Sequence, residues 1–223
     1  ARRASKGPNP IEKKAAELCE RLVRHLDGGA LAAAFPREGL DEDERAILRE
    51  LFLLTDKPLF YVCNVSEEQL GALETDANVG AVRARAQAVG APVVVISAKI
   101  EAEIMQLPEE ERGEFLASVG LEEPGLHQVI RTGYEVLDLI TFFTAGDPEV
   151  HAWTILRGTK APQAAGKIHS DFERGFIRAE VIFWQDLVTL RSEAAVKAAG
   201  KLGIEGKEYV VRDGDVMHFR FNV

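Results

Sequence analysis

Two short polar clusters in this sequence follow directly on uninterrupted apolar runs. Leu59-Phe-Tyr-Val-Cys63 leads into Asn64-Val65-Ser66-Glu67, and Pro92-Val-Val-Val-Ile96 leads into Ser97-Ala98-Lys99. Amide, hydroxyl and carboxylate groups set side by side can read the hydrogen-bonding edge of a heterocyclic base. The structural alternative is that Asn64 and Ser66 cap a helix while Ser97-Ala98-Lys99 is an ordinary strand exit. Position favours the chemical reading, because ligands of open α/β sheets bind beyond the carboxyl ends of the strands and both clusters stand there.

The elements that must hold these clusters follow from periodicity. Apolar runs of this length without alternation suit strands buried on both faces, and Val79 to Val89 supplies a helix between them, so residues 59–96 read as a β-α-β unit. Upstream, Asn9-Pro10-Ile-Glu12 is a helix start. Ile11, Ala15, Leu18, Leu22 and Leu26 then recur at spacings of three and four, until Gly28-Gly29 ends the helix near Asp27. Ala30 to Gly39 is loop or short helix, and Asp41 to Thr55 is a second amphipathic helix stopped by Lys57-Pro58. Glu109 to Leu116 and Gly125 to Leu139 are helical patterns. From Ile140 the texture becomes short β-rich runs, at Val150 to Leu156, Phe176 to Phe183, Glu208 to Val211 and Val216 to Phe221. Helical stretches lie at Pro162 to Phe172 and Ser192 to Ala199, which suits a mixed sheet of four or five strands with one main helix and a domain boundary near Leu137 to Thr141.

A chain of 223 residues, 46% hydrophobic, can bury enough apolar surface to fold without staples. No apolar run approaches the roughly 20 residues that cross a bilayer, and no signal peptide is expected. Cys19 and Cys63 are the only cysteines, which fits a reduced cytosol, so the expected location is cytoplasmic. A formal net charge of -9 confines any nucleic-acid contact to a local patch; no DNA and no membrane are expected as partners. The opening Ala1-Arg-Arg-Ala-Ser-Lys-Gly7 reads like the tail of a helix, as in a fragment or a partly observed chain.

P-loop GTPases place N-K-x-D after one strand and S-A-K after the next; here the pair is N-V-S-E and S-A-K. Together with Leu54-Thr-Asp-Lys-Pro58, Ser97-Ala-Lys-Ile-Glu-Ala-Glu-Ile104, Gly120-Leu-Glu-Glu-Pro-Gly-Leu126, Ile140-Thr-Phe-Phe-Thr144, the run Asp171 to Val181 and the closing Asp213 to Asn222, this chain resembles the YchF or Obg-like ATPase family within the P-loop GTPases. The resemblance implies an α/β fold, the C-terminal half of a GTPase-like parallel-sheet domain with a helical coiled-coil arm, followed by a ubiquitin-like β-grasp TGS domain. The implied division is 1–40 for part of the arm, 41–137 for the base-binding half and 138–223 for the TGS domain. By the same resemblance ATP is the nucleotide, with Mg²⁺ held by ligands outside this chain, and ribosome or RNA is a partner. Asn64, Val65, Ser66, Glu67, Ser97, Ala98 and Lys99 would bind the nucleotide. Asn64 would pair with the purine edge, Val65 would offer backbone or apolar contact, and Glu67 in place of Asp would favour ATP over GTP.

The departure from that family is large. Gly166-Lys167, Gly200-Lys201 and Gly206-Lys207 are followed by Ile, Leu and Glu, so no G-x-x-x-x-G-K-[ST] occurs, nor any D-x-x-G. The phosphate nest and Mg²⁺ ligands are therefore missing from these residues, no catalytic residue is assigned, and the chain alone should be inactive. The five histidines have no zinc spacing, so no metal site is expected. His169-Ser170-Asp171 holds the letters of a hydrolase triad, but consecutive residues cannot converge on one atom and read as a helix end. Cys63 reads as a buried strand thiol. Lys160, Lys167, Arg174 and Arg178 could approach an RNA backbone, with solvated charge as the plain alternative. Two functions stay open: an ATP hydrolase whose P-loop half lies elsewhere, and a non-enzymatic RNA- or ribosome-binding module.

Overall fold

Asn9, in extended conformation, accepts the Ile11 N–H on its side chain at 3.0 Å, and Pro10 opens helix α1 (Pro10–Asp27). In this computed structural model the described residues are 9–146 and 149–222, and the chain divides into two compact units, Ala1–Val129 and Ile130–Val223. In the first unit α1 meets α2 (Glu42–Glu50). Leu18, Leu22, Phe35, Leu40 and Leu48 are buried together between them, and each such side chain contributes about 1.5–3 kcal/mol. Lys14 bonds Asp41 at 2.6 Å and Asp43 at 3.1 Å, and Arg21 reaches Glu44 at 3.3 Å. The second helix stops at Glu50 rather than Thr55. Phe52 turns to φ +47, which no helix accommodates, and a 3-10 turn at Leu54–Asp56 follows.

The β-α-β unit is present. Strand β1 (Tyr61–Asn64) runs parallel to β2 (Val93–Ile96), in register from Tyr61 opposite Val93 to Asn64 opposite Ile96. Between them lie α3 (Glu67–Leu70) and α4 (Ala77–Val89), the latter capped by Asp76 and closed by Gly90 at φ +67. Cys63, Val65 and Val79 form the core of this layer, with Val93 and Val95 against them, so Cys63 is a buried strand thiol. Helices α5 (Ala98–Ile104) and α6 (Glu109–Ser118) bury Ile100, Ile104 and Leu116. Helix α7 (Gly125–Val136) begins in the first unit and ends in the second.

The second unit holds β3 (Leu139–Ala145), β4 (Val150–Leu156), α8 (Ala161–Ile168), α9 (Ser170–Arg174), β5 (Phe176–Phe183), α10 (Trp184–Leu190), α11 (Glu193–Ala198), β6 (Gly203–Glu205) and β7 (Asp215–Phe221). The sheet order is β4-β3-β7-β5-β6, antiparallel except where β3 runs parallel to β7. Ile140, Phe142, Ile155, Ala179, Met217 and Phe219 pack one face against Ala161, Ala164 and Ala165 of α8, whose small side chains let the helix approach closely. Ile182 and Val216 on the other face lie under Val196 of α11.

Two local expectations for this unit need correction, and two of its elements have no counterpart among those expected from the sequence. The segment from Glu208 to Val211 forms a single bridge, Lys160 with Val210, because turns crowd it on both sides. The helical stretch from Pro162 to Phe172 breaks at His169, which is extended (φ -160) and caps α9 with its own ring nitrogen. Phe183 ends β5 directly into the unforeseen helix α10, and Gly203–Glu205 adds a short strand. Gly214, at φ +87, lets β7 begin beneath Trp184, whose indole a Cβ there would strike.

Candidate nucleotide-base site

Parallel pairing of β1 and β2 brings the two polar clusters side by side. The Val65 N–H donates to the Ile96 carbonyl at 2.9 Å, one step beyond the last paired residues. The Asn64 side-chain oxygen then accepts the Ala98 N–H at 3.0 Å, joining clusters 34 residues apart in sequence. This contact fixes the amide: Oδ1 faces the second cluster, and no hydrogen bond among the described residues uses Nδ2. Asn64 and Ala98 are exposed, so that donor faces solvent.

Ser97 is 3% exposed, and its Oγ is the one buried side-chain polar atom among the described residues without a hydrogen-bond partner. As N-cap of α5 its side chain makes no capping bond. An unpaired buried hydroxyl costs roughly 1–3 kcal/mol.

Other members of the set are placed differently. Val65 is 7% exposed with its side chain packed into the core, which leaves its backbone as the part that lies at the cluster. Ser66 closes a reciprocal capping box with Gln69, accepting the Gln69 N–H at 3.3 Å while the Gln69 side chain takes the Ser66 N–H at 2.9 Å. Its hydroxyl does what the capping alternative described. Glu67 is exposed in the first turn of α3, and Lys99 is exposed with Glu103 3.9 Å away.

Glu101 was not singled out from the sequence. Its carboxylate accepts the N–H groups of Gly125 (2.6 Å) and Leu126 (3.3 Å), which anchors the start of α7 beside the second cluster. A Cβ on Gly125 would stand 2.7 Å from Ile96 Cγ2, so glycine is required for that approach. Partners 24 residues apart leave no local sequence signal.

The basic set of the second unit is largely paired. Lys160 contacts Glu208 at 2.5 Å, Arg174 contacts Asp171, and Arg178 lies 3.8 Å from Glu180. Lys167 is exposed and has no carboxylate at ion-pair distance among the described residues. A groove of about 850 Å³ in this unit is mostly apolar, lined by Tyr134, Phe143, Val150, Trp184 and Leu187, with Arg131, Glu135, Arg157 and Asp213 also on its lining. Among the described residues no three His, Cys, Asp or Glu side chains cluster as metal ligands. Among the described residues no helix is long and apolar enough to cross a membrane.

The molecule is thus an α/β protein in which a parallel strand pair with clustered polar turns precedes a mixed five-stranded sheet. A family model described as YchF-GTPase_C, protein of unknown function (DUF933), matches residues 139–222. The chain is 51% identical over 182 residues to the ribosome-binding ATPase YchF of Bacillus subtilis, covering 82% of this chain and 50% of that protein. It is 46% identical over 219 residues to the ribosome-binding ATPase YchF of Escherichia coli O157:H7, covering 98% of this chain and 59% of the relative. The solved structure of the Schizosaccharomyces pombe YchF GTPase superposes with a TM-score of 0.80 at 33% identity, covering 97% of this chain and 58% of that one. The chain belongs to the YchF family, and it spans 50% to 59% of the length of these relatives.

Proposed function

We propose that this chain recognises the base of ATP for an Obg-like nucleotide hydrolase associated with ribosomes in the cytoplasm. The observation that carries the reading is the Asn64–Ala98 hydrogen bond, which knits two strand-end clusters beside the unpartnered Ser97 hydroxyl. With Oδ1 committed to Ala98, the Asn64 Nδ2 donates to purine N7, an acceptor that adenine and guanine share. Asn64 therefore selects a purine, and the choice between purines falls to Glu67. Its carboxylate reaches about 1.5 Å beyond that of an Asp at the same position, past the point where guanine N1–H and its exocyclic amine are paired together. Guanine enters with its N1–H and exocyclic 2-amino donors unpaired, and adenine presents neither of these two donors. Ser97 Oγ takes its missing partner from the bound nucleotide.

These residues orient the base and supply no step of hydrolysis. Mg²⁺, when bound with the triphosphate, neutralises developing charge on the phosphoryl oxygens, and its ligands belong to a phosphate-binding half absent from this sequence. Within the proposal, residues 1–40 contribute to a coiled-coil arm, 41–137 form the base-binding half and 138–223 form a β-grasp TGS domain. The printed names of the relatives, ribosome-binding ATPases, also support a second role, contact with ribosomal RNA through the last of these, with Lys167 among its exposed cations. The 223-residue chain alone should release no phosphate from ATP with Mg²⁺, and joining it to a YchF P-loop half should restore release. Mg²⁺-dependent release by the purified chain alone would refute the division of labour.

A further inference from the structure

The two edges of the five-stranded sheet differ. Strand β6 is 3 residues long and lies between Lys201 and Lys207, the short, charged kind of edge that resists pairing. Strand β4 is 7 residues long, Val150-His-Ala-Trp-Thr-Ile-Leu156, with neither Lys, Asp, Glu nor Pro along it, and it is exposed for most of its length. Val150 is 72% and Leu156 60% exposed.

The direction of its free backbone groups follows from the pairing with β3. Arg157 N–H donates to Asp138 O at 2.8 Å, and Glu149 O accepts from Gly146 N–H at 3.2 Å. Odd-numbered residues of β4 therefore turn their backbone toward β3, and Val150, Ala152, Thr154 and Leu156 turn theirs outward, where the Leu156 carbonyl already accepts the Thr159 N–H at 3.1 Å and its hydroxyl at 2.6 Å.

We propose that β4 is an interface with a second copy of this chain, the two β4 strands pairing antiparallel about a twofold axis at Trp153. That register sets Val150 opposite Leu156 of the partner and Ala152 opposite Thr154 of the partner, so the outward N–H and carbonyl groups meet their complements everywhere but at the Leu156 carbonyl, which Thr159 already occupies. Side chains on each face stay in phase with the partner's. Trp153, half-buried and stacked on Phe142, meets its own copy at the axis in the closely spaced, non-hydrogen-bonded position where aromatic pairs contribute most. The flanks supply the charge complementarity that favours a second copy over a foreign strand. Glu149 and Arg157 are equidistant from Trp153, so each Glu149 faces the partner's Arg157 at both ends, and both side chains are well exposed, at 72% and 60%. The contact is isologous and closes at two copies.

Sedimentation of the whole chain tests this. A dimer should form in the range of about 10–100 µM, as expected for an interface of modest area. Arg157→Glu should raise the dimer Kd about tenfold or more, by replacing attraction with repulsion at both ends. The paired exchange Glu149→Arg with Arg157→Glu should restore dimers while leaving the Arg157–Asp138 contact broken, which separates the intermolecular pair from a local folding effect. Ala152→Pro, which removes an outward donor that β3 does not use, should give folded monomers by circular dichroism. A chain monomeric throughout that range, a dimer indifferent to charge reversal and to Ala152→Pro, or a monomer that takes a foreign extended peptide along β4 would each overturn the proposal.

Discussion

Replacing Ser97 by Ala should move stability and nucleotide affinity in opposite directions. In the free protein the Ser97 hydroxyl is buried at 3% exposure with no partner, so it weighs against folding. Removing it relieves a desolvation penalty of roughly 1–3 kcal/mol, offset in part by the void left by one oxygen. The variant should be between neutral and about 2 kcal/mol more stable, or up to about 2–4 °C in Tm for each kcal/mol in a chain of this size. If the hydroxyl finds its partner in the bound nucleotide, the same change removes one hydrogen bond and weakens binding by about two- to tenfold. Urea unfolding followed by circular dichroism measures the first quantity, and displacement of a fluorescent ATP analogue from the protein with its P-loop half measures the second. Destabilisation beyond about 1 kcal/mol would mean that the hydroxyl has a structural partner, and unchanged affinity would remove Ser97 from the site; either refutes the reasoning.

Asp41 is held below its ordinary carboxyl value first by the Lys14 side chain and then by the Glu44 backbone N–H. A depressed carboxyl contributes stability that is present above its unfolded value, 3.8, and lost as pH falls through the lower folded value, so acid should loosen the contact between α1 and α2 below about pH 4 and Asp41→Asn should blunt that step in hydrogen exchange. In ribosome binding, Arg174→Ala with Arg178→Ala should flatten the salt dependence by at most about one to two phosphate contacts, because both guanidiniums share their charge with Asp171 and Glu180; pelleting across a salt series reads the slope, and an unchanged slope assigns the contact to other cations.

Much of this architecture was legible because local chemistry and packing agree. The runs before Asn64 and Ser97 suit parallel strands and Asn9-Pro10 suits a helix start, so the β-α-β unit and α1 stand where expected, although the strands are not buried on both faces: Val62 is 45% exposed. Failures cluster where a distant contact decides. Glu208 to Val211 has strand composition, yet the chain must turn to set the Tyr209 hydroxyl on the buried Asp215 at 2.7 Å, which leaves one bridge in place of a strand. Burial there pushes the Tyr209 phenol well above its ordinary value, with Asp215 adding to the rise. At the site, the proximity of the clusters followed from topology. The commitment of the Asn64 amide to Ala98, the burial of the Val65 side chain and the Glu101 anchor on α7 depend on how residues far apart in sequence pack.

The most direct test is nucleotide preference in the protein with its P-loop half present. Glu67 leaves guanine with unpaired donors at about 1–3 kcal/mol, so ATP should displace a labelled analogue about five- to 150-fold better than GTP. Glu67→Asp should narrow that gap by recovering guanine, while Asn64→Ala should weaken both nucleotides alike. Equal potency of ATP and GTP, or a preference for GTP, would contradict the assignment of Asn64 and Glu67 as the residues that read the base.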